Sequence, residues 1–207
     1  MRLLPAGRTA VLVELDDAGQ RRRLHQTLIE HPAVGTVDLV AAQTTVLIDV
    51  ESPAQLPGAV AHVQELVAAG LDGVSERARE AVGVPVRYDG LDLSDVADLL
   101  DMTTDELVRR HSGQQWTVEF AGFMPGFGYM SGADWPYRVP RRHTPPRTRI
   151  PPGSIALADG FTGAYPQASP GGWQIIGTTD ATLWDEQTDP PALLLPGAVI
   201  RFQVVNS

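Results

Sequence analysis

Apolar and polar positions alternate in two different periods along the first part of the chain. Val11, Val13 and Leu15 fall on one face of a stretch with period two, which predicts a strand over Thr9–Leu15. From Asp17 to Glu30 the period lengthens, and Leu24, Leu28 and Ile29 form the stripe of an amphipathic helix. His31-Pro32 ends it, because the residue before a proline is pushed out of the helical region. Val37–Val40 and Thr45–Val50 read as two further strands. Leu56–Ala69 reads as a second helix with Val60, Val63 and Val67 on one face and Gly70 as its stop. The order β-α-β-β-α predicts a small ferredoxin-like half, with a last strand near Val84–Tyr88.

Beyond the turn at Tyr88-Asp89-Gly90 the pattern changes. Two short helices come first, one capped by Ser94 and the other by a Thr103-x-x-Glu106 box, the second running out at Arg109-Arg110-His111. Short runs of strand character follow: Trp116–Ala121, Ser154–Ala158, Trp173–Thr178 and Ala198–Val205. Ten of the 17 prolines lie between Pro136 and Pro191. Frequent turns between short strands predict a compact β-barrel or sandwich. The reading is therefore α+β, with an N-terminal domain over 1–88 and a barrel domain over 89–207.

Composition narrows the chemistry. The formal net charge is −9, a poor match for a polyanion, so neither nucleic acid nor an anionic membrane is an expected partner. The N-terminal apolar run is too short for a signal peptide or a membrane span. With no cysteine there is no disulfide and no thiolate chemistry, which fits a cytoplasmic protein. All 16 basic residues are arginine, so a Schiff base and a P-loop lysine are both ruled out within this chain. The five histidines show no metal-ligand spacing, and no metal site is expected.

Three stretches carry candidate chemistry. Gly122–Tyr129 is a glycine-rich loop crowded with Phe123, Met124, Phe127 and Tyr129; its rings either plug the barrel end or meet a partner. Arg138, Arg141, Arg142, Arg147 and Arg149, with His143, place five guanidiniums in twelve residues. Their planar forks suit carboxylate or phosphate, and the alternative is a salt-bridged loop. In Ile150–Thr179, Ser169 lacks the surroundings of a nucleophile elbow, while Asp159 and Gln174 read either as polar groups for a pocket or, respectively, as a turn residue and an exposed strand position. His111 either complements the carbonyl end of its helix or serves as a general base.

These same segments carry a family resemblance. Gly122–Tyr129, Pro140-Arg141-Arg142, Pro146-Arg147, Ile150–Ser154, Thr162-Gly163-Ala164-Tyr165-Pro166, Ser169–Trp173 and Asp189–Leu194 resemble one family, that of KipI, allophanate hydrolase subunit 1 and the 5-oxoprolinase B subunit (PxpB). The resemblance implies an N-terminal α+β domain and a C-terminal cyclophilin-like barrel. It also implies a homologous large subunit (allophanate hydrolase subunit 2 or PxpC-like) and, in PxpB-type members, a third PxpA-like subunit. Such assemblies use ATP to open 5-oxo-L-proline to L-glutamate; the chain alone is expected to be inert. Related modules serve urea carboxylase, and the KipI branch inhibits a sporulation histidine kinase. Under this reading His111, Asp159 and Gln174 are the catalytic candidates. Arg141, Arg142, Arg147, Arg149 and Tyr165 are those for substrate or anion, and Phe123, Met124, Phe127 and Tyr129 those for the partner. Two positions depart from the family pattern: Gly160-Phe161 precede Thr162, and Thr178 follows Ile176-Gly177, where many members carry polar residues and arginine respectively.

Overall fold

The computed structural model describes residues 1–71, 80–141 and 146–205. The chain forms two compact units, residues 1–78 and 79–207.

In the first unit, β1 (Arg2–Ala6) and β2 (Ala10–Glu14) form a hairpin whose turn contains Gly7 at φ 78°. Helix α1 (Ala18–Glu30), β3 (Thr36–Ala41), β4 (Thr45–Val50) and α2 (Leu56–Ala68) follow. The sheet is antiparallel in the order β1-β2-β4-β3. Asp17 caps α1 by accepting from the Gln20 N–H at 2.8 Å, and the His31 N–H closes its far end on the Thr27 carbonyl. The alternating Val11, Val13, Val46 and Ile48 meet Leu24 and Leu28 of α1 and Ala59 and Val63 of α2 in one core. Edge strand β1 was not expected from the sequence, and it takes the place beside β2 that a closing strand would otherwise fill.

The expected closing strand goes elsewhere. β5 (Val82–Val86) lies in the second unit, paired in parallel with β13 (Val199–Val204) from Val82↔Ile200 to Val86↔Val204. Val84 and Val86 are buried in the second unit's core, so the sequence boundary at 88 cuts through that unit. Helices α3 (Leu93–Leu99) and α4 (Thr104–Ser112) come next. The cap of α3 is Asp92 and not Ser94. At α4 the Thr103 hydroxyl accepts from the Glu106 N–H, but the Glu106 carboxylate pairs with Arg109 and Arg110, leaving the capping box half-formed.

The remaining strands of this unit are β6 (Trp116–Ala121), β7 (Gly128–Gly132), β8 (Arg147–Ile150), β9 (Ser154–Ala158), β10 (Phe161–Ala164), β11 (Ser169–Gly171) and β12 (Gln174–Thr178). Seven strands form a sheet in the order β12-β9-β10-β7-β6-β13-β5. Reciprocal backbone bonds between Arg87 and Thr178, at 2.9 and 2.8 Å, join its two ends into a nearly closed barrel. Gly177 permits this approach, since a Cβ there would stand 2.5 Å from the Arg87 carbonyl. One face of the sheet packs Trp116, Val118, Met130, Ile155, Leu157 and Phe202 into the main core. On the opposite face, Ala156, Ala158 and Ile175 support a second cluster. Every residue of β9 is therefore buried, which is why it reads as an unbroken apolar run.

Candidate functional site

The second cluster is an aromatic layer. Phe127, Tyr165 and Trp173 are buried in it, and Met124, Tyr129 and Phe161 pack against it half-buried. Phe127 stands edge-on to Tyr129, Tyr165 and Trp173 at centroid distances of 5.2, 5.2 and 5.4 Å. Gly163, in β10, is the floor beneath them: a Cβ there would come within 2.7 Å of the Phe127 ring and 3.0 Å of Trp173. The loop from Gly122 to Phe127 folds over this layer, with Met124 N–H to the Gly122 carbonyl and Phe127 N–H to the Met124 carbonyl. Phe127 and Met130 are thus core residues, which corrects the expectation that Phe127 faces a partner. Met124 and Tyr129 contribute half-buried flanks to the same layer. Phe123 alone among the four partner candidates points outward, 57% exposed and held at φ 70°.

The arginines around the layer divide by partner. Arg147 forms a two-pronged ion pair with Asp92, at 2.9 and 2.7 Å, and Asp92 also accepts the Ile175 N–H at 2.7 Å. Asp92 is buried, so Arg147 ties the start of α3 to β8 and β12 and is committed to a structural role. Arg138 pairs with Asp159 at the surface. Asp159 sits at φ 52° in the turn between β9 and β10, its backbone bonded both ways to Val139. Gln174 donates to the Pro140 carbonyl at 3.3 Å. Asp159 and Gln174 thereby fasten the segment 138–140 to the sheet. Arg141 lies over the Trp173 ring at 6.0 Å. Arg149 is exposed on β8, and Arg142 and His143 lie outside the described residues. Burial pushes the Tyr165 hydroxyl up to about 12, with Arg141 pulling against it, Tyr129 adding to the rise and Arg147 opposing it.

His111 is not in this site. It is fully buried, stacked on Phe202 at 4.7 Å and tilted against Trp116 at 4.9 Å. Its Nδ1 meets the Tyr88 hydroxyl at 2.8 Å and its Nε2 the Thr162 hydroxyl at 2.9 Å. Thr162 donates its proton to the Ala156 carbonyl, so it accepts from Nε2–H, and Tyr88 donates to Nδ1. Desolvation lowers the imidazole pKa to about 3. A ring with both nitrogens engaged and no path to solvent cannot reach a substrate, so the catalytic expectation for His111 is overturned.

Other features had no local signal. Asp92 and Arg147 are 55 positions apart and nothing near either announces the pair. Glu119 is buried at an irregularity between β6 and β7 and accepts from the Ser131 hydroxyl. The departing Thr178 is occupied within the fold, bonding Asp89 by its hydroxyl and Arg87 by its backbone. A separate open cleft of about 520 Å³, bordered by Val82, Pro191, Leu195 and Val199, contains none of the sequence candidates. Among the described residues no three His, Asp or Glu side chains converge to hold a metal ion, and no helix is long and apolar enough to cross a membrane.

A nearly closed barrel backed by helices, carrying an aromatic layer bordered by arginines, is an architecture of the carboxyltransferase-domain type. The chain belongs to the family described as carboxyltransferase domain, subdomain C and D, which it matches over residues 1–194. It is 34% identical to the 5-oxoprolinase B subunit of Escherichia coli O157:H7, over 95% of this chain and 92% of that protein. It is 38% identical to the 5-oxoprolinase B subunit of Bacillus subtilis, over 60% of this chain and 52% of that one. Among solved structures, TTHA0988 superposes with a TM-score of 0.78 at 30% identity, covering 96% of this chain and 40% of the TTHA0988 chain. The chain thus spans about two fifths of that relative. The Kluyveromyces lactis urea amidolyase shares the fold at 21% identity and a TM-score of 0.74, with this chain spanning 15% of its length.

Proposed function

We propose that this chain is the B subunit of a cytoplasmic 5-oxoprolinase, an assembly that opens 5-oxo-L-proline to L-glutamate with hydrolysis of ATP. The similarity to the Escherichia coli protein over nearly the full length of both chains carries the reading. Its partners are a homologous large subunit of the PxpC type and a third subunit of the PxpA type. The exposed Phe123 is the point at which the large subunit docks, because covering an aromatic ring held outward removes apolar surface from water.

Two features of this chain support placing ATP on a partner subunit. There is no lysine in the sequence, and the glycine loop at 122–128 leads into a strand and not the N-terminus of a helix. The nucleotide chemistry is assigned to the partner subunits, and this chain contributes binding and positioning. The decisive experiment co-expresses the three subunits and follows glutamate release from 5-oxoproline. The complex should release glutamate only with ATP, and the isolated chain should release none. A complete, pure complex inactive on 5-oxoproline would overturn the assignment, and steady turnover by the isolated chain would overturn its role as a non-catalytic subunit.

A further inference from the structure

The open cleft of about 520 Å³ lies within the second unit, between Glu80 and Val82 at the start of β5, Ala198 and Val199 at the start of β13, and the segment 182–195. Its lining is mostly apolar. Two of its side chains, Val82 and Leu195, are large apolar residues left 37% and 39% exposed. The wall formed by 183–193 is already shaped: the Asp185 N–H bonds the Pro191 carbonyl at 2.8 Å, the Leu193 N–H bonds the Leu183 carbonyl at 3.1 Å, and Trp184 pairs with Ala192. The charge of the cleft is of one sign. Glu80 and Asp185 border it, and no arginine does among the described residues. The surrounding sequence has the same bias: from Thr179 to Ile200 stand Asp180, Asp185, Glu186 and Asp189, and no basic residue. Arg87 neutralises Asp180. Asp185 is half-buried, and its Oδ1 accepts from the Gln187 N–H at 2.9 Å. Its other oxygen and the Glu80 carboxylate have no partner among the described residues.

We propose that this cleft is a docking site for an extended segment of another polypeptide, one that carries an arginine or lysine between apolar side chains. The cation meets Glu80 and Asp185, and its apolar neighbours cover Val82, Leu195 and Val199. Charge selects this occupant. Two carboxylates on apolar walls repel a carboxylate or a phosphate, and a second copy of this chain, with a net charge of −9, would bring like charge to like. Shape selects a polypeptide over a free amine. A small ligand in an open cleft keeps much of its surface in water, short of the roughly 70–90% burial of a small-molecule site. A chain laid along the cleft adds contact on the exposed Val82 and Leu195. The hydrogen bond from Gln187 holds Asp185 in place beforehand, so its free oxygen is presented with little loss of side-chain freedom on binding.

Titration of the isolated full chain, followed by proton–nitrogen NMR at the backbone amides of Val82, Ala192 and Val199, tests the site without requiring activity. The probe is the end-blocked peptide Gly-Leu-Val-Arg-Val-Leu-Gly, set against the same peptide with glutamine or glutamate in place of its arginine, and against butylamine. The arginine peptide should shift these amides saturably. The glutamine peptide should bind about five- to thirtyfold more weakly, the worth of two partly exposed ion pairs, and the glutamate peptide should not saturate. Butylamine, which lacks the apolar flanks, should bind more weakly than the arginine peptide. The double variant Glu80→Gln/Asp185→Asn keeps an oxygen for the Gln187 N–H and should lose about five- to thirtyfold in affinity for the arginine peptide. Raised salt should weaken the parent more than this variant. Leu195→Ser should lose about three- to tenfold. Asp98→Asn, a charge change of the same kind on exposed α3, should bind as the parent does. No shift at the cleft amides, equal binding of the arginine and glutamine peptides, or undiminished binding by the double variant each overturns the site. Butylamine binding as tightly as the peptide would make the occupant a free amine, and a dimer of the chain dissociated by Leu195→Ser would make it a second copy; either overturns the polypeptide assignment.

Discussion

At the scale of single residues, burial and pairing decide which candidates can do chemistry. His111 is a neutral hub whose two nitrogens bridge Tyr88 and Thr162 across the core. Its pKa is lowered to about 3, while an unfolded chain takes up the proton near 6.5. The unfolded state therefore binds more protons between those values. Stability is complete above about pH 6.5 and falls as pH drops toward about 3, by about 1.4 kcal/mol per unit at the steepest. Urea unfolding from pH 7 to pH 4 should show this slope, and His111→Gln should flatten it by about one proton. The same variant should cost about 1–3 kcal/mol at pH 7 through an unpaired hydroxyl, with KM of the complex unchanged. Arg147→Ala should cost about 3–5 kcal/mol, since it removes the two-pronged counter-charge of the buried Asp92 carboxylate. Denaturant melts of Arg147→Ala against Arg147→Ala/Asp92→Asn check this, and the second change should recover part of the loss.

At the scale of elements, the loop between β6 and β7 separates two kinds of aromatic residue only four positions apart. Phe127 is part of the layer on β9, β10 and β12, and Phe127→Ala should destabilise the isolated chain by about 3–5 kcal/mol. Phe123 is exposed and held in the left-handed region, where a residue with a Cβ is strained by about 1–2 kcal/mol. Phe123→Gly relieves that strain while giving up edge contacts with Phe127 and Tyr165, so the melting temperature should hardly move. Its affinity for the large subunit, measured by calorimetry, should fall about tenfold or more. Gly163→Ala works from the other side of the layer. Its methyl would push the Phe127 and Trp173 rings off β10, at a cost of about 1–3 kcal/mol that thermal melting would register.

At the scale of the molecule, the parallel pair β5–β13 marks where the second unit begins. A fragment of residues 79–207 retains Val84 and Val86 in the core and should unfold cooperatively on its own. A fragment of 89–207 lacks β5, exposes the edge of β13 and loses the Arg87–Thr178 closure. It should aggregate or melt without a cooperative transition, and calorimetry of the two fragments distinguishes them.

Local pattern was enough for elements that bury one face or are unbroken apolar runs. α1, β4, β6 and β9 lie within a residue of where periodicity puts them, because side-chain spacing and capping groups are properties of neighbours in the chain. The motif segments that carry the family resemblance were likewise legible, since their glycines and prolines answer to close backbone approaches such as those at Gly163 and Gly177. Besides β1, four short strands were not. β7, β8, β10 and β11 are glycine-, arginine- or proline-bearing runs of three to five residues, whose extended form is stabilised by strands distant in sequence. The placement of β5 was hidden for the same reason: its partner lies more than a hundred residues away, and nothing in Val82–Val86 tells one sheet from another. The roles of the arginines depended on distance in space alone. Arg141 and Arg147 are alike as letters, and a carboxylate arriving from Asp92 makes one a structural clasp while the other is left facing outward on an indole.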